Sequence, residues 1–149
     1  MANSSSLKLL IELAQQQADT SARKLGQLNY QQQEAEKKLN LLLQYRQNYQ
    51  LQLQSSIANG IDQVEWRNFN AFLNKLDAAV AEQRQAVLHA KTLTNIANNE
   101  FLACQRKLKS YSTLSKRQHM AEILRQNKLE QKLLDEFAVN SVWRKSSSS

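Results

Sequence analysis

His89 and His119, Cys104, and the acidic pairs Glu34/Glu36 and Asp135/Glu136 are the side chains of this 149-residue sequence that could ligate a metal, attack a substrate or move a proton. A structural or catalytic metal needs three or four ligands converging on one point. If the histidines share one helix, at 1.5 Å per residue they stand about 45 Å apart and cannot share an ion. No histidine is placed to turn the Cys104 thiol into a thiolate, so it has no activating base. The two acidic pairs read as ordinary surface charge. With Gly26 and Gly60 as the only glycines, there is no glycine-rich loop to cradle a phosphate. The sequence therefore predicts no catalytic residue, no metal site and no cofactor. The chain is expected not to be an enzyme.

The elements that carry these residues are helical. The sequence has no proline, and Leu, Ala, Gln, Lys and Glu dominate it. All five are good helix formers, and few residues interrupt a long helix. Aromatic residues make up 7% of the chain, few for a globular core but enough for a narrow helix seam.

Apolar positions recur at the helical repeat. A first series runs Leu7, Leu10, Ala14, Gln17, Ser21. A cleaner one follows in alternating steps of three and four: Leu25, Leu28, Gln32, Ala35, Leu39, Leu42, Arg46, Tyr49, Leu53. That alternation defines a coiled-coil seam. The step of four from Ser21 to Leu25, where three was due, predicts a stutter that locally unwinds the supercoil. Asn59-Gly60 then signals a turn. Asp62 and Glu65 have the spacing of a capping box, and Ile61 and Trp66 that of a hydrophobic staple. A second seam runs Trp66, Phe69, Leu73, Leu76, Val80, Gln83, Val87, Ala90, Thr94, Ala97, Phe101, Cys104, Leu108, Tyr111. Beyond it Leu114, Met120, Leu124, Leu129, Leu133 and Phe137 continue a helical face with weaker periodicity.

The fold class expected is all-α, a long antiparallel two-helix coiled coil. It is one domain over residues 1–145, with helix one at about 7–56, a turn at 57–61 and helix two at about 62–140. The polar start, Met1–Ser6, is expected to fray, and residues 146–149 are read as a disordered serine tail. Residues whose numbers total about 119 should lie side by side, which sets Leu53 against Trp66 and Leu42 near Leu76. The first helix is exhausted near Tyr111. At 1.5 Å per residue the paired part spans about 75 Å, and an unpartnered overhang of about 40 Å continues toward Phe137.

The net charge of +7 admits nucleic acid, an anionic membrane surface or an acidic protein as partner. The basic residues gather at Arg106, Lys107, Lys109, Lys116 and Arg117, with no acidic residue between Phe101 and Ala121. A basic-zipper reading conflicts with the interruptions at Leu108, Tyr111 and Leu114 and with the absence of further heptads to form a parallel dimer. A single cysteine makes no internal disulfide, no apolar run reaches the ~20 residues that cross a bilayer, and Met1–Leu13 does not read as a secretory leader. A cytoplasmic location is expected. Two surfaces stand out. Leu43, Tyr45, Phe72 and Ala79 lie off the two seams near the turn and widen the apolar face there. The start Leu7–Ala14 and the tail Leu124–Phe137 are both amphipathic and lie at the end away from the turn.

Taken in order, Leu7-x-x-Leu10, Ala22-Arg23, Leu25-Gly26, Ala35, Leu39, Leu42, Tyr45, Tyr49, Asn59-Gly60-Ile61, Trp66, Phe72, Leu76 and Asp135-Glu136-Phe137-Ala138 resemble the flagellar export protein FliJ family of the bacterial type III export apparatus. The likeness runs from about Leu7 to Lys145. It departs in carrying Gln15–Gln17 and Gln31–Gln33 where relatives are often more acidic. The resemblance implies an antiparallel coiled coil like the central stalk of rotary ATPases. It implies a component of flagellum assembly and motility that binds the hexameric export ATPase, the cytoplasmic domain of the membrane export gate, and export chaperones. It further implies a place at the cytoplasmic face of the inner membrane, with only peripheral membrane contact and no nucleic acid. By this analogy Leu42, Tyr45, Tyr49, Phe72, Leu76 and Ala79 form the gate-binding face. Leu7, Leu10, Leu124, Leu129, Leu133 and Phe137 are the expected ATPase contacts. The competing reading is a basic, nucleic-acid-binding coiled coil.

Overall fold

The computed structural model describes residues 2–147, with side chains described from Ser4. It is an all-α helical hairpin: α1 (Ala2–Asn59) and α2 (Gln63–Ser147) pack against each other, and no strand occurs among the described residues. α1 begins before Leu7, because the serines there do not break a helix. α2 continues past residue 140. Ser146 and Ser147 belong to α2, and their hydroxyls donate to Trp143 O and Arg144 O at 2.9 and 3.1 Å. The rest of the expected serine tail, Ser148 and Ser149, lies outside the described residues. Arg144 and Lys145 in the last turn suit the negative end of the helix dipole.

Gly60–Asp62 connects the helices. Gly60 has φ +81°, and the Gly60 N–H donates to Ile57 O at 3.1 Å. Asp62 caps α2: its Oδ1 accepts the Glu65 N–H at 2.8 Å, and its carbonyl accepts the Trp66 N–H at 3.1 Å, the first bond of the helical ladder. Asp62→Ala is expected to cost about 1 kcal/mol, the usual loss of a cap. A Cβ at Gly60 would meet no neighbour, so Gly60→Val would be opposed by backbone conformation alone. A left-handed β-branched residue costs upward of about 1 kcal/mol. Urea unfolding of both variants checks this. Two unchanged midpoints would show that the connection does not depend on these residues.

The hairpin divides into two compact units. In the unit Ala18–Ala103, every seam position expected from Leu25 to Leu53 and from Phe69 to Ala97 is buried or half-buried. Trp66 is exposed. Cross-helix pairs in this unit include Tyr49 with Phe69, Arg46 with Asp77, Gln83 with Ala35 and Lys24 with Glu100. Their residue numbers total roughly 120, as an antiparallel arrangement about this connection requires. The polar seam residues are satisfied. Gln83 Nε2 donates to Ala35 O at 2.9 Å. The Thr94 hydroxyl donates to Ala90 O at 2.9 Å and has Leu28 O of α1 at 3.3 Å. A slip of register would strand these groups, so they fix the pairing as well as fill it.

The other unit joins α1 up to Gln17 with α2 from Cys104. Here two details of the sequence reading are corrected. In α1 the shielded positions are Leu7, Ile11 and Ala14, whereas Leu10 and Gln17 are exposed. Continued along the helix through Ala18, Ser21 and Leu25, the alternation of four and three is unbroken, so there is no stutter. Ala18, 1% exposed, takes the place assigned to Gln17. In α2, Cys104, Leu108 and Tyr111 are half-buried, and the shielded face continues through Ser112, Ser115, Glu122 and Ile123. Leu114, Met120 and Leu124 point to solvent. The start of α1 supplies serine there: Ser4 lines a shallow depression with Ser115, Gln118, His119 and Glu122. From Leu124 to Asn140 every residue of α2 is exposed.

Candidate functional site

Four aromatic side chains meet in the unit that holds the connection. Helical spacing sets Tyr45 and Tyr49 one turn apart on α1 and Phe69 and Phe72 nearly one turn apart on α2. The Tyr49 ring lies 4.5 Å from the Phe72 ring and 5.2 Å from the Phe69 ring. Tyr45 approaches Phe72 edge-on at 6.5 Å. Each such pair contributes about 0.5–1.5 kcal/mol beyond the area it buries. Tyr49 and Phe69 are half-buried, whereas Tyr45 and Phe72 are 57% and 36% exposed. Below them Leu76 is buried, and Leu42 and Ala79 are half-buried. Of the six residues expected on this face, Tyr45 and Phe72 are therefore exposed and the other four are buried or half-buried.

Phe69 was assigned to the seam and missed as a member of the cluster. Its ring contact with Tyr49 was legible in the pairing rule, since the two numbers total 118. Arg46, a charge at a seam position, is explained by Asp77 across the pair. Its Nε donates to that carboxylate, and its Nη1 donates to Gln50 Oε1 at 3.2 Å. Arg46 is half-buried at that position, where a long aliphatic stem can pack while the charged head reaches its partner. Both partners of this ion pair are partly exposed, so it contributes at most about 1 kcal/mol.

In the other unit the expected contact residues separate into two kinds. Leu7 is buried and packs the helix pair. Leu10, Leu124, Leu129, Leu133 and Phe137 are exposed, Phe137 to 72%. Leu134, Val139, Val142 and Trp143 are exposed beside them. The last two were missed because the helix was expected to end near residue 140. Where this stretch begins, Arg125 holds Glu122 through two bonds, Nη2 to Oε1 at 2.7 Å and Nε to Oε2 at 3.2 Å. These hydrogen bonds, with the guanidinium charge, keep the Glu122 carboxyl below its ordinary pKa.

His89 and His119 are exposed, and Cys104 is half-buried in the seam. Among the described residues no group of three His, Cys, Asp or Glu side chains could hold a metal ion, and no helix is long and apolar enough to cross a membrane.

The family model described as "Flagellar FliJ protein" matches residues 3–147. The chain belongs to the FliJ family. It is 33% identical over 145 residues to the flagellar FliJ protein of Escherichia coli (strain K12), covering 97% of this chain and 99% of that relative. The Salmonella typhi FliJ protein is 31% identical over 145 residues, with the same coverage. That of Buchnera aphidicola subsp. Schizaphis graminum is 29% identical over 100 residues, 67% of this chain and 66% of the relative. As a FliJ-family member the chain is a component of flagellum biogenesis and protein export. Both the aromatic face and the exposed end of α2 lie inside the matched region.

Proposed function

We propose that this FliJ-family chain works as a non-enzymatic, stalk-like docking protein of the flagellar export apparatus. The free end of α2 binds the hexameric export ATPase and promotes its activity. The aromatic face beside the connection binds the cytoplasmic domain of the export gate, and the chain also escorts export chaperones. It acts at the cytoplasmic face of the inner membrane and meets the membrane only peripherally. The observation that carries the reading is the stretch Leu124–Asn140: a helix kept wholly exposed while it presents Leu129, Leu133 and Phe137 at steps of four along one side. Apolar side chains at that spacing suit a helix-binding groove in another protein.

The test is the turnover of the export ATPase with and without the chain. Full-length protein should raise it, and protein lacking the residues after Leu124 should not. Circular dichroism should show the truncated hairpin still folded, because residues 125–140 are all exposed. Full stimulation by the truncated chain would move the ATPase contacts elsewhere. No stimulation by either would remove the stalk reading.

A further inference from the structure

α2 carries a second line of residues at steps of three and four, on the side turned away from α1. Arg106, Lys109, Thr113, Lys116, Met120 and Leu124 are all exposed, whereas Cys104, Leu108, Tyr111 and Ser115 on the opposite side are half-buried. Lys107 and Arg117 flank this line. Among the described residues none of these five cations has an ion-pair partner. Four cations outside this face are ion-paired: Lys37 with Glu34, Arg125 with Glu122, Lys24 with Glu100 and Arg46 with Asp77. Arg106, Lys109 and Arg117 also line a shallow depression with Ser110, Thr113 and Leu114. Both hydroxyls there already donate to their own helix, Ser110 to Arg106 O and Thr113 to Lys109 O, at 2.9 Å each. The cations are left as the donors that face solvent.

We propose that this outer face of α2, from Arg106 to Leu124, is a docking seam for an acidic amphipathic helix of another protein. The spacing is that of a coiled-coil face, so a straight helix can lie along it and meet one residue of the line at each step. Charge complementarity sets the partner's chemistry. Glutamates or aspartates face Arg106, Lys109 and Lys116, and apolar residues face Met120 and Leu124 at the far end. Charge-assisted hydrogen bonds from the guanidinium and ammonium groups hold the carboxylates, and matching of sign rejects basic helices. A phosphate backbone would find Met120 and Leu124 unsuitable in its track. A bilayer would meet too little bulky apolar surface to admit the helix, since the other side of α2 is occupied by α1 here.

The test uses the full chain and a fluorescein-labelled synthetic helix bearing glutamates at the three positions opposite the cations and leucines at the two opposite Met120 and Leu124. Fluorescence anisotropy should show binding that weakens with salt. Lys109→Glu with Lys116→Glu should weaken it by about tenfold or more, and a peptide with lysines at the facing positions should restore it. Met120→Ser should weaken binding by about threefold without changing its salt dependence. All substituted positions are exposed, and circular dichroism should report an unchanged helix content. The proposal is overturned if a peptide of the same composition but scrambled order binds equally well. Equal binding by the charge-reversed chain would also overturn it. So would retention of duplex DNA or of phosphatidylglycerol vesicles by these residues while the acidic helix is ignored.

Discussion

Val87→Asp is expected to destabilise the hairpin by about 3 kcal/mol or more, as an unpaired charge forced into an apolar site does. Val87 is 6% exposed and lies between two cross-helix polar contacts, Gln83 to Ala35 and Thr94 near Leu28. Those contacts hold the helices in one register, so the pair cannot slide to release a buried carboxylate. Arg84 and Lys91 lie one turn to either side, but both are exposed, and a carboxylate reaching them must leave the seam. Val87→Ala supplies the scale. It removes two methyl groups without adding charge and should cost about 1–2 kcal/mol. In a chain of this length 3 kcal/mol lowers the melting temperature by roughly ten degrees. Thermal melts followed by circular dichroism decide the matter. If the Asp variant melts with the Ala variant, position 87 is not enclosed and the helices pair in another register.

That register was legible in the sequence wherever the apolar pattern had one phase. From Leu25 to Leu53 a single alternation fits, and each position is shielded. The connection was legible for a different reason: Gly60 and Asp62 have roles that few other residues can fill, and a positive φ and a cap bond are found there. Near the start of α1 the pattern has several phases. Leu9, Leu10, Ile11, Leu13 and Ala14 put apolar side chains almost all round the helix, and choosing the leucine at position 10 shifted the face by one residue. The small Ala18 carries the correct phase, because its methyl lets two helix backbones approach closely. Residue size was a poor guide to burial there.

The second half of α2 was misread for a related reason. Periodicity points to Leu114, Met120 and Leu124 as the packed face, whereas Ser112, Ser115, Glu122 and Ile123 are the shielded positions. Burial depends on what lies opposite. The start of α1 brings Ser4 to Ser115 and Glu122, and a serine-rich partner is matched by polar residues. Leu114, Met120 and Leu124 are then left outside. What no residue pattern could supply is the identity of the partners. An exposed Tyr45 and an exposed Phe137 each offer a surface to a partner, and only family membership suggests which.

On the proposed gate-binding reading, Tyr45→Ala combined with Phe72→Ala should weaken binding to the export-gate cytoplasmic domain at least about tenfold, or 1.4 kcal/mol. Large aromatic side chains on a rigid support are the usual anchors of an interface. Tyr45 and Phe72 are the two most exposed members of the cluster, and the half-buried Tyr49 packs against Phe72. The stability control must allow for one contact. Phe72 lies 4.5 Å from Tyr49, so its removal should cost about 1 kcal/mol and a few degrees of melting temperature. Tyr45→Ala alone avoids that loss, since Phe72 is its ring neighbour only at 6.5 Å and edge-on. It should leave the melt unchanged while weakening binding about threefold or more. Leu76→Ala is a poorer probe, because Leu76 is buried and its loss would damage the hairpin itself. Titration calorimetry of the three chains against the gate domain, each paired with a melting curve, separates the outcomes. Unchanged affinity in the double variant would remove the aromatic face as the gate site. Affinity lost in step with a collapsed melting temperature would assign both rings to packing.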